Sequence, residues 1–200
     1  MTALVLLVMI TTADFHDDFE SGIGRWEATD ANAWRSLETP FGKVCELYQQ
    51  SKYKPPHRSP FNVLLLKDEM FGDFELTALA RTTTASYGHR DLCVFFGYQS
   101  ASQFYYVHFG QATDDHANQI FIVNNADRTK ISTQTTTGTP WDDKWHKIRV
   151  VRKSGTIKSY FDDMKTPVMI AQDSTFGAGR IGLGSFDDTG QFDDVVIKRL

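Results

Sequence analysis

Residues 91–124 decide the fold: DLCVFFGYQ (91–99), SAS (100–102), QFYYVHFG (103–110), QATDDHA (111–117) and NQIFIVN (118–124). Three runs are rich in aromatic and β-branched residues and have the length of strands. Each break between them carries Ser, Gly, Asp or Asn, which are typical of turns. The stretch therefore predicts three consecutive strands of an antiparallel meander.

Alternation along these strands divides the side chains between two faces of the sheet. The residues that suit a core are Tyr105, Val107, Phe109, Ile120 and Ile122. The opposite face carries Phe104, Tyr106, His108, Gln119 and Phe121, with His89 and Asp91 at the start of the first strand. Because this second face is rich in side chains that form hydrogen bonds, it is the best candidate for a functional site.

The rest of the chain also predicts short strands, about a dozen in all, and no segment has the 3.6-residue period of a helix. Gly182 and Gly184 interrupt one strand and favour curvature or a close backbone approach. Residues 50–60 form a proline-rich, basic loop that either overhangs a sheet or is simply solvated. The pattern predicts an all-β fold, a two-sheet antiparallel jelly-roll β-sandwich.

Composition limits the classes of function. With 200 residues, 41% hydrophobic and 13% aromatic, the chain suits one domain with a full core. The net charge of −4 argues against nucleic acid as a partner, since nucleic-acid binding favours a basic face. The apolar run at residues 3–10 is too short to span a bilayer, so we expect no membrane insertion.

The N-terminus bears on location. Residues 1–13 resemble the apolar region and small-residue cleavage site of a secretory signal that lacks its positively charged start; a first core strand is the alternative. We expect a folded domain over residues 14–200 in a secreted or periplasmic protein. Cys45 and Cys93 lie in apolar strands and suit buried free thiols, with a disulfide as the alternative in an exported protein.

Two C-terminal segments carry a family resemblance: WHKIRVVRKSGTIKSYFDD (145–163) and GRIGLGSFDDTGQFDDVVI (179–197). Together with FGDFELTALART (71–82) and CVFFGYQSASQFYYVHFG (93–110), they resemble the concanavalin A-like lectin/glucanase superfamily, in particular its laminin G-like and 3-keto-disaccharide hydrolase-like domains. The resemblance covers residues 14–200. It implies a curved jelly roll whose concave sheet holds carbohydrate, in a superfamily that includes both binding modules and enzymes.

The enzymatic branches of that superfamily are matched poorly. The Glu-x-Asp-x-x-Glu strand of the laminarinase-type glycosidases does not occur here, and glycoside hydrolysis usually needs two suitably spaced carboxylates. The jelly-roll alginate lyases carry Gln-Ile-His, whereas here Gln119-Ile120 is followed by Phe121. Tyr106 and His108 on the neighbouring strand would have to substitute for that histidine by geometry.

The candidate site is a set of polar side chains predicted to share one face of the sheet. We expect carbohydrate contacts from His89, Arg90, Asp91, Tyr106, His108, Gln119, Asn124 and Arg128. If the protein is an enzyme, Tyr106 and His108 would exchange protons, with Arg90 and Asp91 completing a catalytic set. Alternatively, the aromatic residues only stabilise the sheet as cross-strand pairs.

Acidic residues at the two chain ends suggest a metal. In the resembled lectin-like domains an aspartate of the last strand helps to hold a structural calcium, which implies a Ca²⁺ cofactor at Asp18 and Asp193 here; a solvated acidic edge without a metal is the alternative. Asp187 and Asp188 are interpreted as turn residues. His57, His116 and His146 lack the spacing of zinc ligands.

Three functions therefore remain open. The first is binding of a polysaccharide or oligosaccharide. The second is a small carbohydrate-active enzyme, either a polysaccharide lyase or a glycoside hydrolase. The third is a laminin G-like domain that recognises protein.

Overall fold

The computed structural model describes residues 14–200, and the prediction of a signal in residues 1–13 lies outside them. The described residues form sixteen strands. In chain order they are β1 (Phe15–Asp17), β2 (Trp26–Ala28), β3 (Trp34–Thr39), β4 (Gly42–Leu47), β5 (Asn62–Leu66), β6 (Phe74–Thr82), β7 (Asp91–Ser100), β8 (Gln103–Gly110), β9 (Gln119–Asn124), β10 (Thr129–Lys130), β11 (Ser132–Thr135), β12 (His146–Lys153), β13 (Thr156–Phe161), β14 (Met169–Gln172), β15 (Arg180–Ser185) and β16 (Gly190–Arg199).

The strands form two antiparallel sheets that pack face to face. The nine-stranded sheet has the order β11-β14-β13-β12-β6-β16-β4-β3, with β1 paired to β16, and the seven-stranded sheet has the order β10-β9-β8-β7-β15-β5-β2. The prediction of an all-β, two-sheet jelly-roll sandwich is confirmed. Within residues 14–200 the helical content is one 3-10 turn at Ala31–Ala33, and no helix there is long and apolar enough to cross a membrane.

The predicted meander is the centre of the seven-stranded sheet. Strand β8 pairs with β7 on one side and with β9 on the other, so that His108 lies between Cys93 and Gln119. Residues 127–133 continue the meander only in part. Thr129–Lys130 pairs with β9, but Ser132–Thr135 crosses to the nine-stranded sheet and pairs with β14.

The main core lies between the two sheets and contains the face that alternation predicted. Tyr105, Val107, Phe109 and Ile120 are fully buried there, and Ile122 packs against them while partly exposed. Burying one large apolar side chain contributes about 1.5–3 kcal/mol. The alternating pattern of β8 and β9 is therefore what fixes their orientation in the sandwich.

The outer face of the seven-stranded sheet differs from the prediction, because much of it is buried. It carries a second hydrophobic cluster: Val63, Leu65, Cys93, Phe95, Tyr98, Phe104, Tyr106, Phe121 and Val123. Residues 50–60, which we call the strap, meet the β9–β10 connection over this face. The backbone NH of Arg58 donates to Asp127 Oδ1 at 2.9 Å, and Arg58 O accepts from the NH of Arg128 at 3.0 Å. Of the two predicted positions for this loop, the overhanging one is observed.

Two smaller predictions concern glycine and cysteine. A β-carbon added to Gly184 would lie 1.9 Å from Asn62 O, and one added to Gly182 would lie 2.7 Å from Leu64 O, so both positions need the close backbone approach. Cys45 and Cys93 are buried free thiols on different sheets, and burial raises the pKa of both.

Candidate functional site

A pocket opens where one end of the seven-stranded sheet meets the strap. The start of β7, the end of β8 and the connection after β15 all reach this end of the sheet. The pocket has a volume of about 180 Å³, far more than the ~10–15 Å³ that one water needs. We call it the rim pocket, and its lining residues are Arg58, Tyr87, His89, Asp91, His108, His116, Arg128, Phe186 and Asp187.

His108 forms part of the floor as a neutral imidazole. Its Nδ1 accepts a hydrogen bond from the backbone NH of Asn118 at 3.3 Å, which assigns the proton to Nε2. That Nε2 lies 3.6 Å from Asp91 Oδ2. Burial, with the nearby charge of Arg128, lowers the pKa of His108 to about 3. At neutral pH the side chain is therefore a hydrogen-bond donor that carries no charge.

Two carboxylates, those of Asp91 and Asp187, line the pocket, and that of Asp188 lies beside them. Asp91 at the start of β7 is fully buried, and Asp187 and Asp188 follow β15, the first exposed and the second buried. Asp188 Oδ2 accepts from the Tyr87 hydroxyl at 3.0 Å and from the backbone NH of Asp91 at 2.8 Å. Burial raises the pKa of Asp91 and Asp188, and the charge of Asp188 adds to the rise at Asp91.

Arg128 forms the opposite wall. Its Nη1 donates to the Tyr106 hydroxyl at 2.9 Å. The guanidinium carbon lies 4.2 Å from the centre of the Phe186 ring and 4.6 Å from that of Phe121. These contacts hold the guanidinium in one orientation, as cation–π contacts do. The pocket thus places a fixed cationic group across from carboxylates.

Half-exposed side chains surround the mouth. His89 Nε2 is 2.6 Å from Asp114 Oδ2, and the same aspartate accepts from the backbone NH of His116 at 2.6 Å. Arg58 on the strap is exposed. The mouth is therefore polar and accessible, while the floor is buried.

The predicted catalytic set is not assembled in one place. Tyr106 is fully buried beneath Arg128, and burial raises the pKa of its hydroxyl well above the ordinary value, so it does not supply a proton at neutral pH. Arg90 lies on the other side of the sheet from Asp91, since neighbouring strand residues alternate. Its guanidinium donates to Thr82 Oγ1 at 2.6 Å and to Asp142 O at 2.7 Å. The structure corrects the prediction that Tyr106 and Arg90 lie at a ligand-binding surface, since neither residue lines the rim pocket.

Two other predicted contacts also lie away from the pocket. Gln119 is buried, and its Nε2 donates to Asp114 O at 2.8 Å, so it fixes the β8–β9 connection. Asn124 is exposed at the far end of β9, where it pairs with Gln103. It lies five residues along the strand from Gln119, a distance of roughly 17 Å at about 3.3 Å per residue. Of the predicted contact set, His89, Asp91, His108 and Arg128 line the rim pocket.

The predicted calcium residues lie elsewhere, at a bulge in β16. The register of β16 shifts between Asp193 and Val196, and the backbone of Asp194 there has a φ of 46°. Burial raises the pKa of Asp193, and the charges of Asp194, Glu20 and Asp18 add to the rise. These carboxylates are near enough to act on Asp193 electrostatically, but within residues 14–200 they do not form a group of three whose donor atoms lie within 4.8 Å of one another.

Several lining residues were not predicted: Arg58, Tyr87, His116, Phe186 and Asp187. Asp187 follows β15, which is far from β7 in sequence but pairs with it. Arg58 reaches the pocket because the strap folds over the sheet. Local sequence contains no signal for the pairing of β15 with β7. For the strap, the run of basic residues indicated a loop over a sheet face but did not indicate that Arg58 reaches this pocket.

A wider cleft of about 420 Å³ lies on the nine-stranded sheet and is lined partly by Phe41, Arg81 and Trp145. Phe41 is 99% exposed, and the guanidinium of Arg81 lies 5.3 Å from the centre of the Trp145 ring. This cleft has more apolar surface than the rim pocket. The rim pocket is the stronger candidate because buried ionisable groups converge on it, which is characteristic of functional sites.

Comparison with known proteins supports the fold. No family model matches the chain, and no curated protein matches it. Among solved structures, the carbohydrate-binding module CBM66 from Bacillus subtilis is 20% identical, with a TM-score of 0.63 over 87% of this chain and 95% of that one. The cellulose-induced protein Cip1 is 13% identical, with a TM-score of 0.64 over 94% and 98%.

A third solved structure is domain 4 of AbnA, a GH43 extracellular arabinanase from Geobacillus stearothermophilus, in complex with arabinotriose. It is 10% identical, with a TM-score of 0.58 over 92% of this chain and 90% of that one. At these identities the likeness shows a shared lectin-like β-sandwich. Function has to be argued from the site.

Proposed function

We propose that the chain is a carbohydrate-binding module of the concanavalin A-like type that holds one sugar ring in the rim pocket. The observation that carries the proposal is the lining itself. Carboxylates and imidazoles stand beside two guanidinium groups and the Phe186 ring in about 180 Å³. Small-ligand pockets combine an apolar surface with a few fixed polar groups, and a sugar ring presents hydroxyls to the latter and CH groups to the former.

Structural neighbours agree with this class of ligand. One of them is named as a carbohydrate-binding module and another was solved with arabinotriose. The enzymatic alternative has less support, because Tyr106 is buried and Arg90 bonds to groups outside the pocket. Binding without turnover is therefore the function that we propose.

Two further proposals follow, the first from the signal-like pattern of residues 1–13 and the second from the family resemblance. One is export of the protein to the cell exterior or the periplasm. The other is a structural calcium held by Asp18 and Asp193. The fit there is chemical: carboxylate oxygens are the ligands that calcium prefers, and those of Asp18, Glu20 and Asp194 are near enough to raise the pKa of Asp193.

The test of binding is isothermal titration with neutral and acidic oligosaccharides, and reducing ends are measured in the same samples. Arg58→Ala should weaken binding at least tenfold, because Arg58 lines the mouth. Lys54→Ala is the matched control, since Lys54 is an exposed basic residue of the same strap outside the lining. Equal losses in both variants would contradict a pocket role for Arg58.

The wider cleft supplies the competing outcome. If Trp145→Ala abolishes binding while Arg58→Ala leaves it unchanged, the sugar site lies on the nine-stranded sheet and the rim-pocket proposal is wrong. Formation of new reducing ends by the wild type would instead show turnover.

A further inference from the structure

The carboxylates of the rim pocket form a cluster that hydrogen bonding alone does not explain. Asp91, Asp187 and Asp188 each place an oxygen within 4.8 Å of the others. Two of these residues are buried, and Asp187 is exposed at the pocket. Three negative charges this close repel one another strongly unless something compensates them.

Existing partners satisfy only part of the cluster. Asp91 Oδ2 accepts from the backbone NH of Phe186 at 2.9 Å and from Cys93 Sγ at 3.2 Å. Asp91 Oδ1 is buried and has no hydrogen-bond partner. A buried acceptor without a partner is costly and is rare in folded proteins.

Ion pairs to the cluster are also few. Over residues 14–200, the ion pairs of these three carboxylates reduce to one contact, between Asp91 and His108 at 3.6 Å. The guanidinium of Arg128 is engaged with Tyr106 and two phenylalanine rings. No arginine or lysine of residues 14–200 therefore forms an ion pair with the three carboxylates.

We propose that Asp91, Asp187 and Asp188 form a calcium site in the wall of the rim pocket, with Asp91 Oδ1 as a buried ligand. Carboxylate oxygens are hard donors, and calcium binds them at 2.3–2.6 Å, so opposite ligands of one ion lie roughly 4.6–5.2 Å apart. The spread of 4.8 Å in this cluster is within that limit. Calcium takes six to eight oxygens, so water or a ligand in the pocket completes the shell.

A shared proton is the competing explanation. One carboxyl of a close pair stays protonated when no cation is present, and this alone relieves the repulsion between Asp91 and Asp188. The two explanations differ in their response to calcium. A proton leaves the stability of the fold independent of calcium concentration, whereas a calcium site raises the melting temperature as calcium is added.

The experiment is a calcium titration of the chelator-treated full chain without sugar, by calorimetry and by thermal melting. Asp187→Asn should weaken calcium binding at the rim-pocket site at least tenfold. Because Asp187 is exposed, the variant should still fold. Asp193→Asn is the matched control, since it lies at the β16 bulge and should keep the rim-pocket ion. Absence of calcium binding by the wild type, or equal binding by the Asp187→Asn variant, would overturn the proposal.

A buried variant distinguishes the ion from the proton. In the Asp193→Asn background, which lacks a carboxylate of the other proposed calcium site, Asp91→Asn should abolish the remaining calcium-dependent rise in melting temperature if Oδ1 is a ligand. If Asp91→Asn instead raises the melting temperature equally with and without calcium, the cluster shares a proton and the proposal is wrong. Tighter binding of magnesium than of calcium would overturn the choice of metal. No sugar is present in these assays, so their outcome is independent of the sugar-binding tests.

Discussion

Arg128 offers the sharpest test of how the rim pocket is built. Replacing it with Met removes two cation–π contacts, worth about 0.5–1 kcal/mol each at a partly exposed site. It also leaves the hydroxyl of the fully buried Tyr106 without its partner, which costs about 1–3 kcal/mol. Arg128→Met should therefore destabilise the fold by about 2–5 kcal/mol in total.

Urea unfolding of four proteins measures this cost. Tyr106→Phe alone should cost about 0.5–1.5 kcal/mol, since it removes the hydroxyl and leaves no buried polar group behind. In that background, Arg128→Met should cost only the stacking contribution, about 1–2 kcal/mol. The double-mutant cycle should thus show a coupling of about 1–3 kcal/mol. Additive effects, or an Arg128→Met variant within about 0.5 kcal/mol of the wild type, would refute the reasoning.

Two other predictions concern the core and the sheet. Burial opposes ionisation of Asp173, but hydrogen bonds from the Tyr105 hydroxyl at 2.5 Å and from Thr175 outweigh this effect and lower the pKa of the carboxyl. The ionised form therefore stabilises the fold above pH ~4, and this contribution is lost as the pH falls through the lowered pKa. Asp173→Asn should cost about 1–2 kcal/mol in urea unfolding at pH 7 and almost nothing at acid pH, and an equal cost at both would contradict this. Gly184→Ala should prevent correct strand packing, whereas Gly177→Ala, with open space around it, should leave the thermal midpoint nearly unchanged; similar midpoints would contradict the close approach.

Much of the fold was predictable from local pattern. The runs of β7, β8 and β9 are rich in aromatic and β-branched residues, and their order in the sheet follows from short connections. Alternation also assigned the correct residues to the main core. Alternation did not predict that the opposite face is buried. A period of two shows which side chains share a face of the sheet, but it does not show whether another segment of the chain covers that face.

The site was predictable only where its residues belong to the meander. His108 and Asp91 come together through neighbouring strands, and the sequence indicated both. Asp187 and Asp188 reach Asp91 through the pairing of β15 with β7, which joins residues about 90 positions apart in the chain. Arg90 was misplaced because the residue just before a strand was assigned to the face of its neighbour.

The strap has a consequence for which part of a polymer the module would recognise. Because residues 50–60 and the β9–β10 connection meet over the seven-stranded sheet, a long glycan does not lie across that face. A pocket of about 180 Å³ at the end of the sheet admits a terminal unit or a short branch. If the protein binds glycans in this way, the number of binding sites on a glycan equals its number of accessible chain ends and short branches. The amount of protein bound per gram of glycan should then rise as the polymer is shortened.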